Sequence, residues 1–145
     1  MSENREKKKV LFVCTGNACR SQMAEGWARQ LKSDSIEAYS AGVRPAGVST
    51  RAIAVMAEAG VDISAHRSQH VSDFKGMDFD YVVTLCGNAE QKCPVVGGAK
   101  HVHRPFDDPV MVLGSNDQIM AAFRRARDQI KAFVETLPES LDVDL

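Results

Sequence analysis

The sequence predicts a single α/β domain in which a four-stranded parallel sheet lies between layers of helices. The first observation is that short apolar segments alternate along the chain with segments of helical periodicity, the pattern of β-α-β units. The second is that the two strongest apolar segments are continuous rather than alternating, as expected of strands buried on both faces. The third is that no repeat, low-complexity segment or linker divides the 145 residues.

Four strands are predicted in chain order. Residues 10–13 (VLFV) form a continuous apolar run and are predicted to be a central strand. Residues 36–40 form the second strand, and residues 80–85, which contain YVVTL, form another central strand. Residues 100–104 are more polar, which favours a strand at the edge of the sheet.

Two helices are predicted between these strands. The first begins near Ser21 and carries apolar residues at helical spacing as far as Leu31. The second is capped by Ser49 or Thr50, since both side chains can accept a hydrogen bond from an unpaired helical N–H group. Gly60 ends the second helix.

The third helix is the clearest in the sequence. Ser115 and Gln118 form a capping box at its start. Its apolar face is predicted to consist of Ile119, Phe123, Ala126, Ile130, Phe133 and Leu137. We expect residues 1–9 to be a flexible N-terminal tail, residues 10–137 to form the domain, and residues 138–145 to be a C-terminal tail.

The composition excludes several classes of function. The 18 Lys and Arg residues against 19 Asp and Glu residues give a net charge of −1, without the basic excess of a nucleic-acid-binding protein. The longest apolar runs, of about five residues, are too short to cross a membrane or to form the core of a signal peptide. We therefore expect a cytoplasmic protein, in which four cysteines indicate metal binding, redox chemistry or simple burial rather than structural disulfides.

The segment between the first strand and the first helix, residues 14–21 (CTGNACRS), is the main candidate site. Ligands of open α/β sheets bind at the carboxyl ends of strands, and this segment lies at such an end. A tight loop before a helix can direct successive backbone N–H groups into one concavity, where the helix dipole adds positive potential. Gly16 and Asn17 tolerate the positive φ angles that such a loop requires.

Three side chains of this loop indicate chemistry on a tetrahedral oxyanion. Arg20 offers a planar fork that matches two oxygens. Cys14 is surrounded by positive groups and should be a nucleophilic thiolate, to which Ser21 can donate a hydrogen bond. The predicted oxyanion-binding residues are Thr15, Gly16, Asn17, Ala18, Cys19, Arg20 and Ser21. We expect Cys19 to be a packed small residue rather than a second nucleophile.

Attack on an oxyanion also needs a proton donor for the departing oxygen. The best candidate is the Asp107-Asp108-Pro109 segment between the last strand and the last helix. Asp and Pro are also common turn formers, so on this chemistry alone the segment is either an acid or a plain turn.

Two further cysteines follow the third strand. Cys86 should emerge at the same edge of the sheet as Cys14, and Cys93 follows seven residues later. A loop of this length can close as a disulfide. The alternative is a zinc site formed by this pair with His101 and His103, although both spacings fall outside those of usual structural zinc sites.

These residues resemble a known family. The match begins with residues 10–26 (VLFVCTGNACRSQMAEG), which are similar to the loop of arsenate reductases built on the low-molecular-weight tyrosine phosphatase fold. It continues through residues 39–42 (YSAG), 83–86 (VTLC), 93–94 (CP) and 106–109 (FDDP). The loop is shared with the phosphatases, whereas the second cysteine pair resembles the thioredoxin-coupled arsenate reductases.

The resemblance implies a thiol relay. Cys14 would attack arsenate held by Arg20 and the loop amides, while Asp108 protonates the leaving oxygen. Cys86 would then attack the Cys14 adduct, releasing arsenite, and Cys93 would move the disulfide to a position that thioredoxin can reduce. This implies a monomeric detoxification enzyme without a tightly bound cofactor, for which reduced thioredoxin is the electron donor.

Two other functions are compatible with these residues. The first is a low-molecular-weight protein tyrosine phosphatase that hydrolyses phosphate monoesters through a Cys14 phosphocysteine. Phosphatases of this fold typically have an aromatic residue after the Asp-Pro pair, where this chain has Val110. The second is a catalytically idle module that binds oxyanions or signals through a disulfide, in which the acid and the relay cysteines would be superfluous.

Some relatives also bind potassium near the loop. The residues of this chain that match their ligands are Asn17, Glu25 and Ser40. The matching fourth position, an aspartate in those relatives, is Gln69, so a negative charge is lost and the site is in question.

Overall fold

The computed structural model describes residues 7–86 and 98–142 and contains a four-stranded parallel sheet in the order β2-β1-β3-β4. Its strands are β1 (Lys8–Cys14), β2 (Ile36–Gly42), β3 (Tyr81–Thr84) and β4 (Lys100–His103). Its helices are α1 (Arg20–Leu31), α2 (Thr50–Glu58) and α3 (Asn116–Val134). The predicted α/β fold with four parallel strands is therefore confirmed.

Strand β1 is central because both of its edges are paired. It lies parallel to β2 on one side and to β3 on the other, and residues 10–13 have no exposed surface. This complete burial explains the continuous apolar run. The strand begins at Lys8, two residues inside the segment that the sequence assigned to a tail, because Lys8 and Lys9 extend the pairing with Ile36 and Glu37.

Helix α1 packs against β2 and α3 and is more deeply buried than its sequence pattern suggests. Residues 20–28 are all buried, whereas Leu31, predicted on the apolar face, is 37% exposed. The reason is that Leu31 lies in the last turn, beyond the packed part of the helix. Trp27 ties α1 to α3, since its Nε1 donates a hydrogen bond to the Arg127 carbonyl at 3.1 Å.

The other two helices begin at side-chain caps. Ser49, and not Thr50, caps α2, because its Oγ accepts a hydrogen bond from the Ala52 N–H group at 3.3 Å. The predicted capping box of α3 is present: Gln118 N–H donates to Ser115 Oγ at 3.2 Å, and Ser115 N–H donates to Gln118 Oε1 at 2.8 Å. Each cap satisfies N–H groups that have no partner within the helix.

The packed chain continues beyond the predicted end of the domain at residue 137. Residues Glu139–Asp142 form a short 3-10 helix, and Leu141 is only 1% exposed. Tyr81 Oη also donates a hydrogen bond to the Asp142 carboxylate, which links this segment to β3. Of the eight residues predicted as a C-terminal tail, 143–145 lie outside the described part of the chain, as do residues 1–6 at the other end.

No helix within residues 7–86 and 98–142 is long and apolar enough to span a membrane.

Gly26 allows α1 to pack closely on the segment after α2. A Cβ atom at this position would lie 2.7 Å from Ile63 Cγ2, 3.2 Å from Met56 Cε and 3.3 Å from Val61 Cγ1. Ile63 and Met56 are fully buried, so these atoms have little room to move.

We therefore predict that Gly26→Ala destabilises the fold. Overpacking costs about 1–3 kcal/mol, and the gain in helix propensity returns about 1 kcal/mol, so we expect a net loss of about 1 kcal/mol in the free energy of unfolding. Urea denaturation measures this difference. The matched control is Gln30→Ala in the same helix at an exposed position, where the stability should not fall. A Gly26→Ala protein as stable as the wild type would contradict this packing.

Candidate active site

The predicted loop lies between the end of β1 and the start of α1. Cys14 is the last residue of β1 and Arg20 the first residue of α1, so residues 15–19 turn the chain at the carboxyl edge of the sheet. The N-terminus of a 12-residue helix points into this turn. A helix N-terminus carries a partial positive charge and unpaired N–H groups, which favours an anion at this position.

The carbonyl groups of the loop are held from its outer side. Five consecutive carbonyls, of residues 15 to 19, each accept a hydrogen bond from a group outside the turn. The donors are Arg44 N–H to Thr15 O (2.8 Å), Ala46 N–H and Ser68 Oγ to Gly16 O (2.9 and 3.1 Å), Gln22 Nε2 to Asn17 O (3.1 Å), Ser49 N–H to Ala18 O (3.0 Å) and Met23 N–H to Cys19 O (2.9 Å).

This arrangement orients the N–H groups of the loop. In a trans peptide the N–H group points away from the C=O group, and the peptides of this loop are trans. Because the carbonyls of residues 15–19 face outward, the N–H groups of residues 16–20 face the opposite, inner side. A row of N–H groups on one side of a turn is the arrangement that anion-binding nests have, so this geometry is compatible with the predicted oxyanion site.

Asn17 has the backbone conformation that makes the turn possible. Its φ angle is 48°, the one positive φ at a non-glycine position among the described residues, whereas Gly16 keeps an ordinary φ. Its Oδ1 accepts a hydrogen bond from Gln69 N–H at 2.8 Å, so its Nδ2 must be the atom that donates to Ser21 Oγ at 2.8 Å. The side chain is fully buried. These contacts offset the strain of the left-handed conformation.

Ser21 is placed to donate a hydrogen bond to Cys14. Its Oγ lies 2.9 Å from Cys14 Sγ and accepts the amide hydrogen of Asn17. The Ser21 proton is then available to the sulfur, as a thiolate at Cys14 requires. Cys14 is 2% exposed and Ser21 is fully buried, so water competes little with this bond. The predicted contact between the two side chains is thus present.

Arg20 is held by two protein groups, which use one N–H donor on each of its Nη atoms and leave the other three of its five N–H donors for an anion. Nη1 donates to the Phe106 carbonyl at 3.0 Å, and Nη2 lies 3.3 Å from Asp108 Oδ2. Phe106 is itself covered by the Arg104 guanidinium, 4.6 Å from the ring centroid. Asp108 also accepts a hydrogen bond from Val110 N–H at 3.0 Å, which caps a single 3-10 turn.

The structure distinguishes the two candidate acids. The Asp108 side chain is 31% exposed and faces Arg20 at the loop, whereas Asp107 is exposed to solvent. The segment is therefore a turn that also directs one carboxyl group toward the oxyanion loop. The two readings of the sequence, acid and turn, are compatible in this geometry.

Cys86 reaches the loop from the neighbouring strand. It lies two residues beyond the end of β3, and its Sγ is 3.1 Å from Thr15 Oγ1, next to Cys14 in the chain. Cys86 is 7% exposed, and Cys14 and Cys86 are both thiols. Cys14 and Cys86 therefore both lie at the carboxyl edge of the sheet, as the sequence predicts. Cys93 lies outside the described residues.

Cys19 has a different environment from Cys14. It is 4% exposed, and burial raises the pKa of its thiol to about 11, an effect that a hydrogen bond with the Ser49 side chain only partly offsets. At neutral pH this sulfur is a protonated, unreactive thiol. The expectation that Cys19 packs rather than reacts agrees with this environment.

The residues that match the potassium ligands are already engaged with protein groups. Glu25 accepts hydrogen bonds from Ser40 Oγ at 2.5 Å and from Arg29 Nε at 2.8 Å. Asn17 Oδ1 is taken by the backbone of Gln69. Arg29 therefore already supplies a positive charge to Glu25, and the Asn17 amide oxygen already has a protein partner, so this set is less suited to a cation than four unengaged oxygen ligands would be. Within residues 7–86 and 98–142, no group of three His, Cys, Asp or Glu side chains could hold a metal ion. The zinc alternative also involves Cys93, which lies outside these residues.

Gly42, which belongs to the 39–42 motif but is not among the predicted site residues, lies against the loop. A Cβ atom here would lie 2.8 Å from both Asn17 N and Thr15 O, which are backbone atoms of the loop. Its N–H group also donates to Gln69 O at 2.8 Å. The loop can therefore sit on β2 only because this position has no side chain.

The fold and the site define a class of α/β protein in which a cysteine and an arginine bracket a backbone anion nest. Residues 9–145 match the family described as low molecular weight phosphotyrosine protein phosphatase, and the chain belongs to this family. An arsenate reductase of Bacillus subtilis is 44% identical over 136 residues, covering 90% of this chain and 98% of that protein.

Solved structures agree with this assignment. An arsenate reductase in the oxidized state has a TM-score of 0.77 at 34% identity, covering 93% of this chain and 99% of that one. Another, in the phosphate-binding state, has a TM-score of 0.69 at 36% identity, covering 90% of this chain and 95% of that one.

We predict that Gly42→Ala weakens the binding of inorganic phosphate. The new Cβ would displace the backbone at Thr15 and Asn17, so the N–H groups would no longer converge. The loss of one or two charge-assisted hydrogen bonds corresponds to an increase in Kd of about tenfold or more. Isothermal titration calorimetry measures the affinity. Gly26→Ala, which strains the core away from the loop, is the control and should keep the wild-type Kd; equal affinities in all three proteins would show that the loop tolerates the methyl group.

Proposed function

We propose that this protein reduces arsenate to arsenite through a relay of thiols from Cys14 to Cys86 to Cys93, with thioredoxin as the final reductant. The observation that carries the proposal is the approach of a second thiol to the oxyanion loop, where Cys86 Sγ lies 3.1 Å from Thr15 Oγ1. Hydrolysis of a phosphate ester needs no second thiol, whereas reduction of arsenic requires two electrons from a pair of thiols.

The first step is nucleophilic attack on arsenic. The loop N–H groups and Arg20 hold arsenate, and the Cys14 thiolate, which accepts a hydrogen bond from Ser21, forms a sulfur–arsenic bond. One oxygen leaves as water after protonation. Asp108 is the proton donor in this proposal, because it is the one of the two aspartates whose carboxyl group lies at the loop, within reach of an oxygen of bound arsenate.

The second step reduces the arsenic. The Cys86 thiolate attacks Cys14 Sγ, and the electron pair of the sulfur–arsenic bond passes to arsenic, which leaves as arsenite. A Cys14–Cys86 disulfide is formed, so the two thiols have supplied the two electrons. The hydroxyl group of Thr15 can stabilise the Cys86 thiolate before attack, since it lies within hydrogen-bond distance.

The third step restores the nucleophile. Cys93 attacks Cys86, which releases the Cys14 thiolate and leaves a Cys86–Cys93 disulfide for thioredoxin to reduce. The contacts of Cys14 with Ser21, of Cys86 with Thr15 and of Arg20 with Asp108 form within one chain and need no residue of a second copy. We therefore propose that the protein acts as a monomer. We also propose that it acts in the reducing cytoplasm, because the final disulfide must be reduced again after each turnover.

Phosphate-ester hydrolysis is the second candidate function, and the family assignment favours it. Cys14, Arg20 and Asp108 would be sufficient for this reaction, in which water hydrolyses a phosphocysteine intermediate. The residue after the Asp-Pro pair is Val110, which is 59% exposed. It offers no aromatic surface on which an aryl leaving group could stack. We therefore expect slow phosphatase activity beside the reductase activity.

Serine variants of the three relay cysteines test the proposal. The assay follows arsenate-dependent NADPH oxidation in the presence of thioredoxin and thioredoxin reductase. We predict that Cys14→Ser, Cys86→Ser and Cys93→Ser each reduce multiple turnover to the background rate, because each breaks the transfer of electrons at a different step.

Hydrolysis of p-nitrophenyl phosphate by the same proteins is the internal control for an intact loop. Only Cys14→Ser should lose it, because hydrolysis does not use the other two thiols. If Cys93→Ser turned over arsenate like the wild type, the three-cysteine relay would be wrong. If the wild type hydrolysed the ester rapidly and reduced no arsenate, the phosphatase would be the function.

A further inference from the structure

Gln22 is a fully buried polar side chain in the first turn of α1, next to the loop but outside it. A buried amide is costly unless its hydrogen bonds are made. Its Nε2 donates to two carbonyls, Asn17 O at 3.1 Å and Arg67 O at 2.9 Å, and its Oε1 lies 2.9 Å from His66 Nδ1. One side chain therefore joins the oxyanion loop to the segment at residues 66–67.

The orientation of this amide is determined by its partners. Backbone carbonyls only accept hydrogen bonds, so the Gln22 NH₂ group must face Asn17 and Arg67. Its oxygen then faces His66, whose Nδ1 must carry a hydrogen. Burial lowers the pKa of His66, which favours the neutral ring, although Glu25 opposes this effect, and the contact with Gln22 Oε1 places a hydrogen on Nδ1. The three hydrogen bonds of the Gln22 side chain are therefore compatible with only one orientation of its amide group.

The hydrogen bond from Gln22 Nε2 to the Asn17 carbonyl fixes the orientation of one peptide group of the loop. The carbonyl of Asn17 and the N–H group of Ala18 belong to the same peptide plane, so holding the carbonyl outward holds the N–H group inward. The neighbouring carbonyls, of Gly16 and Ala18, are held by backbone N–H groups of Ala46 and Ser49. At Asn17 the outer partner is instead a side chain, and Asn17 is also the residue with the positive φ angle.

We propose that Gln22 is a positioning residue for oxyanion binding, which holds the Asn17–Ala18 peptide so that the Ala18 N–H group donates to the bound anion. This inference rests on the oxyanion site of the proposed function but not on the identity of the reaction. Gln22 itself does not touch the anion. Without its amide, the Asn17 carbonyl loses its outer partner, and the peptide can rotate until the oxygen faces the anion.

Replacement of Gln22 by Met tests the proposal, since Met has a similar length and no donor. Inorganic phosphate is the probe, and calorimetry gives its Kd. We expect Kd to rise about tenfold, the loss of one hydrogen bond to a charged group. Gln30→Met, in the same helix at an exposed position, is the matched control and should bind phosphate like the wild type.

A stability control separates positioning from general loosening of the fold. Gly26→Ala strains the core near the same helix, so it lowers the free energy of unfolding without touching the amide of Gln22. A role in positioning requires weaker phosphate binding in Gln22→Met than in Gly26→Ala. Equal Kd values for these two variants, or a wild-type Kd in Gln22→Met, would overturn the inference.

The Ala18 amide signal in nitrogen–proton NMR spectra gives a second test. This test can be made on the wild-type protein and so does not depend on whether a variant folds. Phosphate should shift this proton downfield in the wild type, and the shift should be smaller in Gln22→Met. An Ala18 signal that does not respond to phosphate in the wild type overturns the role of Gln22. A wild type that binds no phosphate at all instead overturns the oxyanion site itself, so the two failures are distinguishable.

Discussion

The outward hydrogen bonds of the loop carbonyls are the interaction on which the rest of the site depends. Between Cys14 and Arg20 the chain turns from a buried strand into a helix, and every carbonyl of residues 15–19 has a donor on the outer side of the turn. The donors come from residues 43–49, from residue 68 and from α1 itself. Because the peptides are planar, this outer set of bonds forces the N–H groups into a common concavity. The fold contributes by placing β2 and the segment after it against the loop, where the missing side chain of Gly42 permits the contact.

The same turn gives the thiols near it different chemical environments. Cys14 is the last residue of the strand, and its Sγ lies 2.9 Å from Ser21 Oγ. Cys19, five residues later, faces the interior, and burial raises the pKa of its thiol to about 11. Cys86 arrives from the neighbouring parallel strand, because parallel strands end at the same edge of the sheet, and it meets Thr15. The different surroundings of these three thiols therefore follow from the direction of the chain, and they support the proposal that Cys14 and Cys86 react whereas Cys19 does not.

The features that the sequence predicts are those that depend on side-chain type. Continuous apolar runs identify the central strands, the spacing of Cys14 and Arg20 identifies the loop, and the Ser115 capping box marks the start of the last helix. The support of the loop could not be predicted in this way, because most of its donors are backbone N–H groups, which every residue except proline has. Gly42 gives only the weak signal of a glycine at a strand end, and Gln22 is polar yet fully buried, which the helical pattern does not anticipate.

The most direct test of this account is a crystal structure of the Cys14→Ser protein with inorganic phosphate. We expect a phosphate within the turn, with hydrogen bonds from the N–H groups of residues 16–20 and a bidentate contact from Arg20. The five carbonyls of residues 15–19 should keep their outer partners. A phosphate bound elsewhere, or a loop in which a carbonyl of this segment faces the anion, would contradict the claim that the outer hydrogen bonds build the site.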